Sequence, residues 1–336
     1  MQAPNNSPVP SRRISMAEVQ SNSAPMSAVT YDDKAQGKFV LREFPRPKPG
    51  PGVPVIRVAS FSLNRGEVRT ALANAQDGAR LGWDIAGTIA EAATDGASPP
   101  AGTRVVALDP VGGWAEFSAV PTPFLTTLPD SISFAQAATL PVAGLTSLHA
   151  LERGGDLRGK RVLISGARGG VGSVACQIAR HMGAHVVAAI RNSRHEAFVR
   201  SMGADTVAIG ANLAGARTHA PYHLILESVG GASLGAALTM LAPGGACVIF
   251  GVTDSGTATF DAETFYRTGG AKLYGLTLRH EFQREMPAVK LTQLVAMTAG
   301  GKLKAPIELE ASWTEVAEVA RKLMQRDYSG KAVLHI

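Results

Sequence analysis

The stretch Arg161-Val-Leu-Ile-Ser-Gly-Ala-Arg-Gly-Gly-Val-Gly172, running on into Ser173–Met182, decides how this chain folds. Arg161–Ser165 is a short strand whose apolar run has no polar alternation, as expected of a strand buried on both faces. Glycines then permit a tight turn and let the backbone come close to a bound pyrophosphate. The helix that follows, closed by Gly183, offers free N–H groups and a partial positive charge to that anion. A second strand begins about twenty residues on, and this context specifies a dinucleotide site where a lone glycine pattern would not.

That second strand, His185–Ile190, ends in Arg191-Asn-Ser-Arg-His195 with no acid before Glu196. An NAD site usually carries an acid here to accept from the ribose hydroxyls. Arg191 and Arg194 instead stand where guanidinium groups would grip a 2′-phosphate, which selects NADPH. The plainer alternative is two solvated loop arginines.

Outward from this point, residues 146–278 repeat strand, glycine turn and helix. Thr206–Ile209, Leu224–Glu227, Cys247–Gly251 and Leu273–Leu276 are the further candidate strands. Such alternation implies an α/β unit, a doubly wound parallel sheet with helices on both faces. Residues 26–145 read as a β-rich unit with little helix, through Phe39–Phe44, Val55–Ser60, Ile85–Ala90, Arg104–Leu108 and Ala115–Val120. Residues 279–336 hold helices near Pro287–Ala299 and Thr314–Arg326 and a closing strand, Ala332–Ile336, and are grouped with 26–145. Residues 1–25, rich in Ser, Pro, Asn and Gln, are expected to be a disordered tail. Arg12-Arg13 has no apolar segment after it, so export is not expected.

Composition narrows the function. The 336 residues are 45% hydrophobic and 18% charged, enough for two sizeable cores. No apolar run of about 18 residues suggests a membrane span. The formal charge of +6 comes from scattered Lys and Arg, so no nucleic-acid partner is expected. Cys176 and Cys247 are the only cysteines, which argues against a disulfide framework and for a cytoplasmic protein.

A set of further segments resembles one family. They are Ser62-Leu-Asn64, Gly82-Trp-Asp-Ile-Ala-Gly87, Arg104-Val-Val-Ala107, Gly113-Trp-Ala-Glu-Phe117, Leu140-Pro-Val-Ala-Gly-Leu-Thr146, Glu227-Ser-Val-Gly-Gly231, Phe250-Gly251 and Gly330-Lys-Ala-Val-Leu334. With Ala167–Gly172 they look like the zinc-independent medium-chain dehydrogenase/reductases of the quinone oxidoreductase branch, in family order over residues 27–336. The resemblance implies a Rossmann domain inserted in a GroES-like catalytic domain, a site in the cleft between them, and a homodimer joined through the Rossmann sheet edges. It would put Asn64 and Thr146 beside the nicotinamide as the catalytic pair. It would give Gly169, Gly170 and Val171 to the pyrophosphate, Ser228 to the adenosine side, and Phe250 and Gly251 to the nicotinamide ribose or carboxamide. Lys331 would approach the 2′-phosphate.

This sequence departs from the family pattern in places. His195 and Gly210 occupy positions where relatives often place a Lys and a Tyr around the 2′-phosphate. The segment from Glu67 to Gly82 is short, and Glu227 replaces a commoner Asp. Zinc relatives use a Cys in the first active-site loop and a Gly-His-Glu motif, where this chain has Leu63-Asn64-Arg65 and Gly82-Trp83-Asp84. No metal is therefore expected.

Without a Lewis acid, the expected chemistry is hydride delivery from NADPH to an already electrophilic small molecule, a quinone or an α,β-unsaturated carbonyl. Asn64, Arg65, Trp83 and Thr146 are candidate donors, and a structural role is the simpler reading of Asp84 and Glu67. Two alternatives are carried: a trans-acting enoyl or alkene reductase of a biosynthetic pathway, and an NADPH-binding protein without turnover.

Overall fold

The computed structural model describes residues 25–336, so all of the expected tail except Pro25 lies outside the described residues. Pro25 itself opens the first strand. Strands β1 (Pro25–Tyr31) and β2 (Phe39–Pro45) form an antiparallel pair. Then come β3 (Val55–Ser62), β4 (Asp84–Glu91), β5 (Arg104–Leu108), β6 (Phe117–Ala119) and β7 (Leu125–Thr127). A second group follows: β8 (Arg161–Ile164), β9 (His185–Ile190), β10 (Thr206–Ile209), β11 (Tyr222–Glu227), β12 (Leu241–Ile249) and β13 (Lys272–Gly275). The chain returns with β14 (Ile307–Ser312) and β15 (Lys331–His335).

The second group makes one six-stranded parallel sheet in the order β10-β9-β8-β11-β12-β13. This is the doubly wound arrangement with the order reversing beside β8, where α/β sheets bind their ligands. Its apolar runs have a direct cause. Val162 and Ile164 enter one hydrophobic cluster and Leu163 the other; Leu224 and Leu226 oppose Ile225 in the same way. With both faces covered, the middle positions of these strands are all apolar.

The seven-stranded sheet runs β14-β15-β3-β4-β5-β7, with β6 also on β3, and draws on residues both before and after the parallel sheet. Its own core holds Trp114 stacked on Phe61 at 5.5 Å between ring centroids. The two sheets are joined by a common core. Ala86, Val106 and Leu108 belong to the same cluster as Val162 and Ile164, and the helix Pro141–Glu152 fills the space between. Ten of that helix's twelve residues are buried, so it shows no amphipathic stripe.

Most candidate strands and both C-terminal helices are found within a residue or two of their expected positions. The differences have local reasons. β12 starts at Leu241 rather than Cys247, because its first residues carry Pro243, Gly244 and Gly245 and do not read as strand. The β-rich part holds more helix than expected, in Arg65–Asn74 and Phe134–Ala138, and the helix Pro141–Glu152 crosses its expected end at residue 145. Among the described residues no helix is long and apolar enough to cross a membrane.

Gly172 shows how tightly the turn is closed. A Cβ there would lie 2.5 Å from the Gly166 carbonyl oxygen and 2.7 Å from the Ala167 Cα, both backbone atoms that cannot step aside. Gly172→Val should therefore lower Tm clearly in calorimetry, since overpacking of this kind costs about 1–3 kcal/mol. Gly256→Ala, where a Cβ meets nothing within 4 Å, should leave Tm within about 2 °C.

Candidate active site

A cavity of about 1360 Å³ runs between the two sheets. The glycine turn forms its floor. Gly169 caps the helix Gly170–His181, whose first N–H groups open into the cavity. Close approach is built in: a Cβ on Gly170 would lie 2.7 Å from the Lys331 Cδ, and one on Gly166 2.8 Å from the Ser228 Oγ. Ser228 is oriented by its backbone N–H, which donates to Ser165 Oγ at 2.9 Å. Glu227, just before it, is fully buried and accepts from the Val229 and Gly230 N–H groups and the Ser233 hydroxyl, holding the loop that carries Ser228.

The expected residues converge on this one cavity. Gly169, Gly170 and Val171 lie at the turn, Arg191 and Arg194 past the end of β9, and Ser228, Phe250 and Gly251 past the ends of β11 and β12. Thr146, from the buried helix, and Asn64, at the N-cap of Arg65–Asn74, line it as well. His195 and Gly210 line the same cavity.

Lys331 requires a correction. It lines the cavity, but its ammonium is not available to a 2′-phosphate. Nζ donates to Asn64 Oδ1 at 2.6 Å and is paired with Asp84 Oδ2 at 2.9 Å, with the side chain 2% exposed. A buried carboxylate is the strongest available partner for a buried ammonium, and Asp84 commits the lysine to that pairing.

The cationic wall also draws on Arg168 and Arg326, which the sequence reading missed, and on Arg65, which it named only as a candidate donor. Arg168, inside the glycine turn, donates to the carbonyls of Arg326 (2.8 Å) and Tyr328 (3.3 Å). Arg65 donates to the carbonyls of Leu323 and Met324, both at 2.9 Å, and Arg326 to that of Thr253 at 3.1 Å. Burial, then each other's charge, pushes these guanidinium pKa values down: Arg326, Arg69 and Arg191 act on Arg65, and Arg194, Arg191 and Arg326 on Arg168. Arg168 stood in the motif itself and was legible. Arg326, at a helix C-cap in left-handed conformation, gave no sequence signal.

These features fit a phosphorylated dinucleotide: a glycine floor where side chains would collide, a helix N-terminus, and clustered guanidinium groups bonded to carbonyls rather than carboxylates. They do not fit zinc. Where a thiolate and an imidazole would be needed, the cavity has the Asn64 amide and the Trp83 indole, and the Lys331 ammonium already neutralises Asp84. Among the described residues, the convergence of acids Asp32, Asp33 and Asp77 lies elsewhere.

Known proteins share this fold. Residues 170–294 match the family described as zinc-binding dehydrogenase. The quinone oxidoreductase of Pseudomonas syringae superposes with a TM-score of 0.81 at 26% identity, over 93% of this chain and 100% of that one. The chain belongs to the medium-chain dehydrogenase/reductase superfamily. Among curated relatives, a mycocerosic acid synthase-like polyketide synthase of Mycobacterium tuberculosis is 31% identical over 87% of this chain. This chain spans only 14% of that relative's length. Two further structures share the fold at 22% identity: the enoyl reductase CurK (TM-score 0.80, 92% of this chain and 99% of that one) and a mycobacterial protein complexed with NADPH (TM-score 0.82, 93% and 100%). The zinc of the family's description is thus not matched by this member's donor set.

Behind Asn64 stands Glu67, 5% exposed. Its Oε1 accepts from the Asn64 backbone N–H at 2.5 Å, while Oε2 is buried with no partner. Burial first, then the Asp84 charge, pushes the Glu67 pKa well above its ordinary 4.5. The folded state therefore keeps a proton that the unfolded chain releases, and stability should fall as pH rises from about 4.5 through the folded pKa. Glu67→Gln removes that proton from the balance. Chemical denaturation at a series of pH values should show the variant gaining on the wild type as pH rises. A difference independent of pH would contradict a protonated Glu67.

Proposed function

We propose that this medium-chain dehydrogenase/reductase is a metal-free, NADPH-dependent oxidoreductase that delivers hydride to a quinone or an α,β-unsaturated carbonyl. The observation that carries the cofactor choice is the cluster of Arg168, Arg191, Arg194 and Arg326, where an NAD site would present an acid. The NADPH complex of the mycobacterial neighbour supports it. The division into a cofactor unit, 146–278, and a catalytic unit, 26–145 with 279–336, belongs to the same proposal.

When bound, NADPH would supply the hydride; the protein's residues supply position and exclusion of water. The glycine turn and helix N-terminus receive the pyrophosphate. Arg168, Arg191 and Arg194 gather the 2′-phosphate, and Ser228 faces the adenosine side. Thr146 and Asn64, 6% and 9% exposed, hold the nicotinamide end of the cleft rigid. Phe250 and Gly251 flank the ribose or carboxamide. Quinones and enones need no metal to be polarised, which suits this donor set. A cytoplasmic homodimer completes the proposal. β13 is the outermost strand of its sheet, with Leu273 48% exposed, an edge on which a second copy could continue the sheet.

A second reading is favoured by the alignment to a polyketide synthase over 87% of the chain and by the likeness to an enoyl reductase. Here the acceptor is an enoyl thioester presented by another protein of a biosynthetic pathway. A panel of quinones, enones and enoyl thioesters, followed at the NADPH absorbance, separates the two by kcat/KM. With an enone, labelled NADPH should place deuterium at the β-carbon; label only at the α-carbon, or no turnover across the panel despite tight binding, would refute hydride transfer.

The arginine cluster makes a separate prediction. Losing a charged hydrogen-bond partner costs about 1.5–3 kcal/mol, on the order of tenfold to a hundredfold in Kd. Replacing Arg191 and Arg194 together by Ala should weaken NADPH by at least that much and leave NADH almost unchanged, measured by fluorescence titration. Equal wild-type affinities for the two cofactors would contradict the reading.

A further inference from the structure

Among the cations and phenols lining the cleft, few can release a proton. Arginine does not deprotonate in proteins. His195 is bonded to Arg194 and Ser329 in the cationic wall, where burial and then the charges of Arg168 and Arg194 push its pKa down. Tyr328 is held up by burial, its hydroxyl buried without a partner. Lys331 remains, and it lines the cavity with its ammonium bonded to Asn64.

Its surroundings are those of a proton donor with a supply behind it. An ammonium has three N–H bonds; two are accounted for by Asn64 Oδ1 and Asp84 Oδ2. Asp84 is itself saturated, accepting from Ser62 Oγ (2.9 Å), Asn64 Nδ2 (2.8 Å), the Val142 N–H (2.9 Å) and Lys331. A carboxylate ringed by donors anchors the lysine. Glu67 is close enough to feel both the Asp84 and the Lys331 charge, and its carboxyl holds a proton above the usual carboxylate range because it is buried. Lys331 is thus bonded to Asp84 and Asn64, Glu67 is bonded to the same Asn64 side chain, and Tyr328 stands near Glu67.

We propose that Lys331 is the acid of the reaction, protonating the α-carbon of an enone or enoyl thioester, and that Glu67 is the reservoir that restores its proton. This rests on reading the cleft as a hydride-transfer site. The balance is simple. The hydride brings two electrons and forms a C–H bond at the β-carbon, and the carbon–carbon π pair moves into an enolate. A proton from Lys331 Nζ forms the second C–H bond at the α-carbon and leaves a neutral amine. The Glu67 carboxyl returns a proton to that amine, and water reprotonates the carboxylate. One hydride from the cofactor and one solvent proton are consumed.

The informative variant is Lys331→Arg, which keeps a cation beside Asp84 but cannot release a proton. General acid catalysis contributes about 10²–10⁴ in rate. Reduction of an enone by Lys331→Arg should therefore fall by at least about 10², and by distinctly more than reduction of a quinone, whose product takes its proton on oxygen. In D2O the wild type should give one configuration at the α-carbon, and Lys331→Arg a mixture, because water then protonates from either side. A merely structural lysine would not move that stereochemistry. Glu67→Gln covers the case in which Lys331→Arg shows no cooperative melt: it should retain the single configuration and lower kcat with KM unchanged. Lys331→Arg with wild-type rate and one configuration, or Glu67→Gln with unchanged kcat, overturns the proposal. A wild type that reduces no enone at all overturns the hydride-transfer reading beneath it.

Discussion

The Asp84 carboxylate is the interaction on which the two halves of the molecule depend. It is fully buried, at the start of β4, and each of its hydrogen bonds comes from a different place. Ser62 ends β3, Asn64 caps the next helix, Val142 opens the buried helix Pro141–Glu152, and Lys331 begins β15. Four chain segments, from residue 62 to residue 331, thus meet at one side chain. Removing one partner of a buried ion pair costs about 3–5 kcal/mol because the other is left unpaired. Here the loss would also release the walls of the cleft from each other.

At rest, the buried Asp84 carboxylate is balanced by a positive charge. In this chain a lysine delivered by the last strand provides it, and the polar residues around it are committed to holding that lysine. Glu67 then inherits an unfavourable position, buried next to a carboxylate, and responds by keeping its proton. A neutral acid beside the cleft is thus a by-product of how Asp84 is neutralised.

Much of the fold was legible in the sequence. Glycine turns bracketed strands that, buried on both faces, were continuous apolar runs, and β5, β9 and β10 fall at their expected residues. Two kinds of element escaped. The helix Pro141–Glu152 is buried all round, so it lacks the periodicity by which a helix is recognised. β14, Ile-Glu-Leu-Glu-Ala-Ser, alternates plainly but follows a Pro and a Lys-rich turn and was passed over. In the site, residues fixed by local motif were found where expected. Lys331 was misassigned because its motif sits beside Gly170 in space, while its partner lies 247 residues away. No local pattern reports a pairing of that range. Arg326 joined the cleft only through a helix cap, which sequence periodicity does not carry.

The manner in which the arginines are held has one more consequence. Arg65, Arg69, Arg168 and Arg326 are fastened by main-chain carbonyl groups, which fix a guanidinium without cancelling its charge. The mouth of the cleft therefore keeps a positive potential that low-dielectric walls focus outward. An anionic ligand is drawn in before it touches anything, and its rate of capture depends on how far that field reaches. The field's reach is set by the Debye length, about 8 Å at physiological ionic strength. Added salt should then slow arrival far more than it hastens departure, which makes ionic strength a control on how quickly this protein loads.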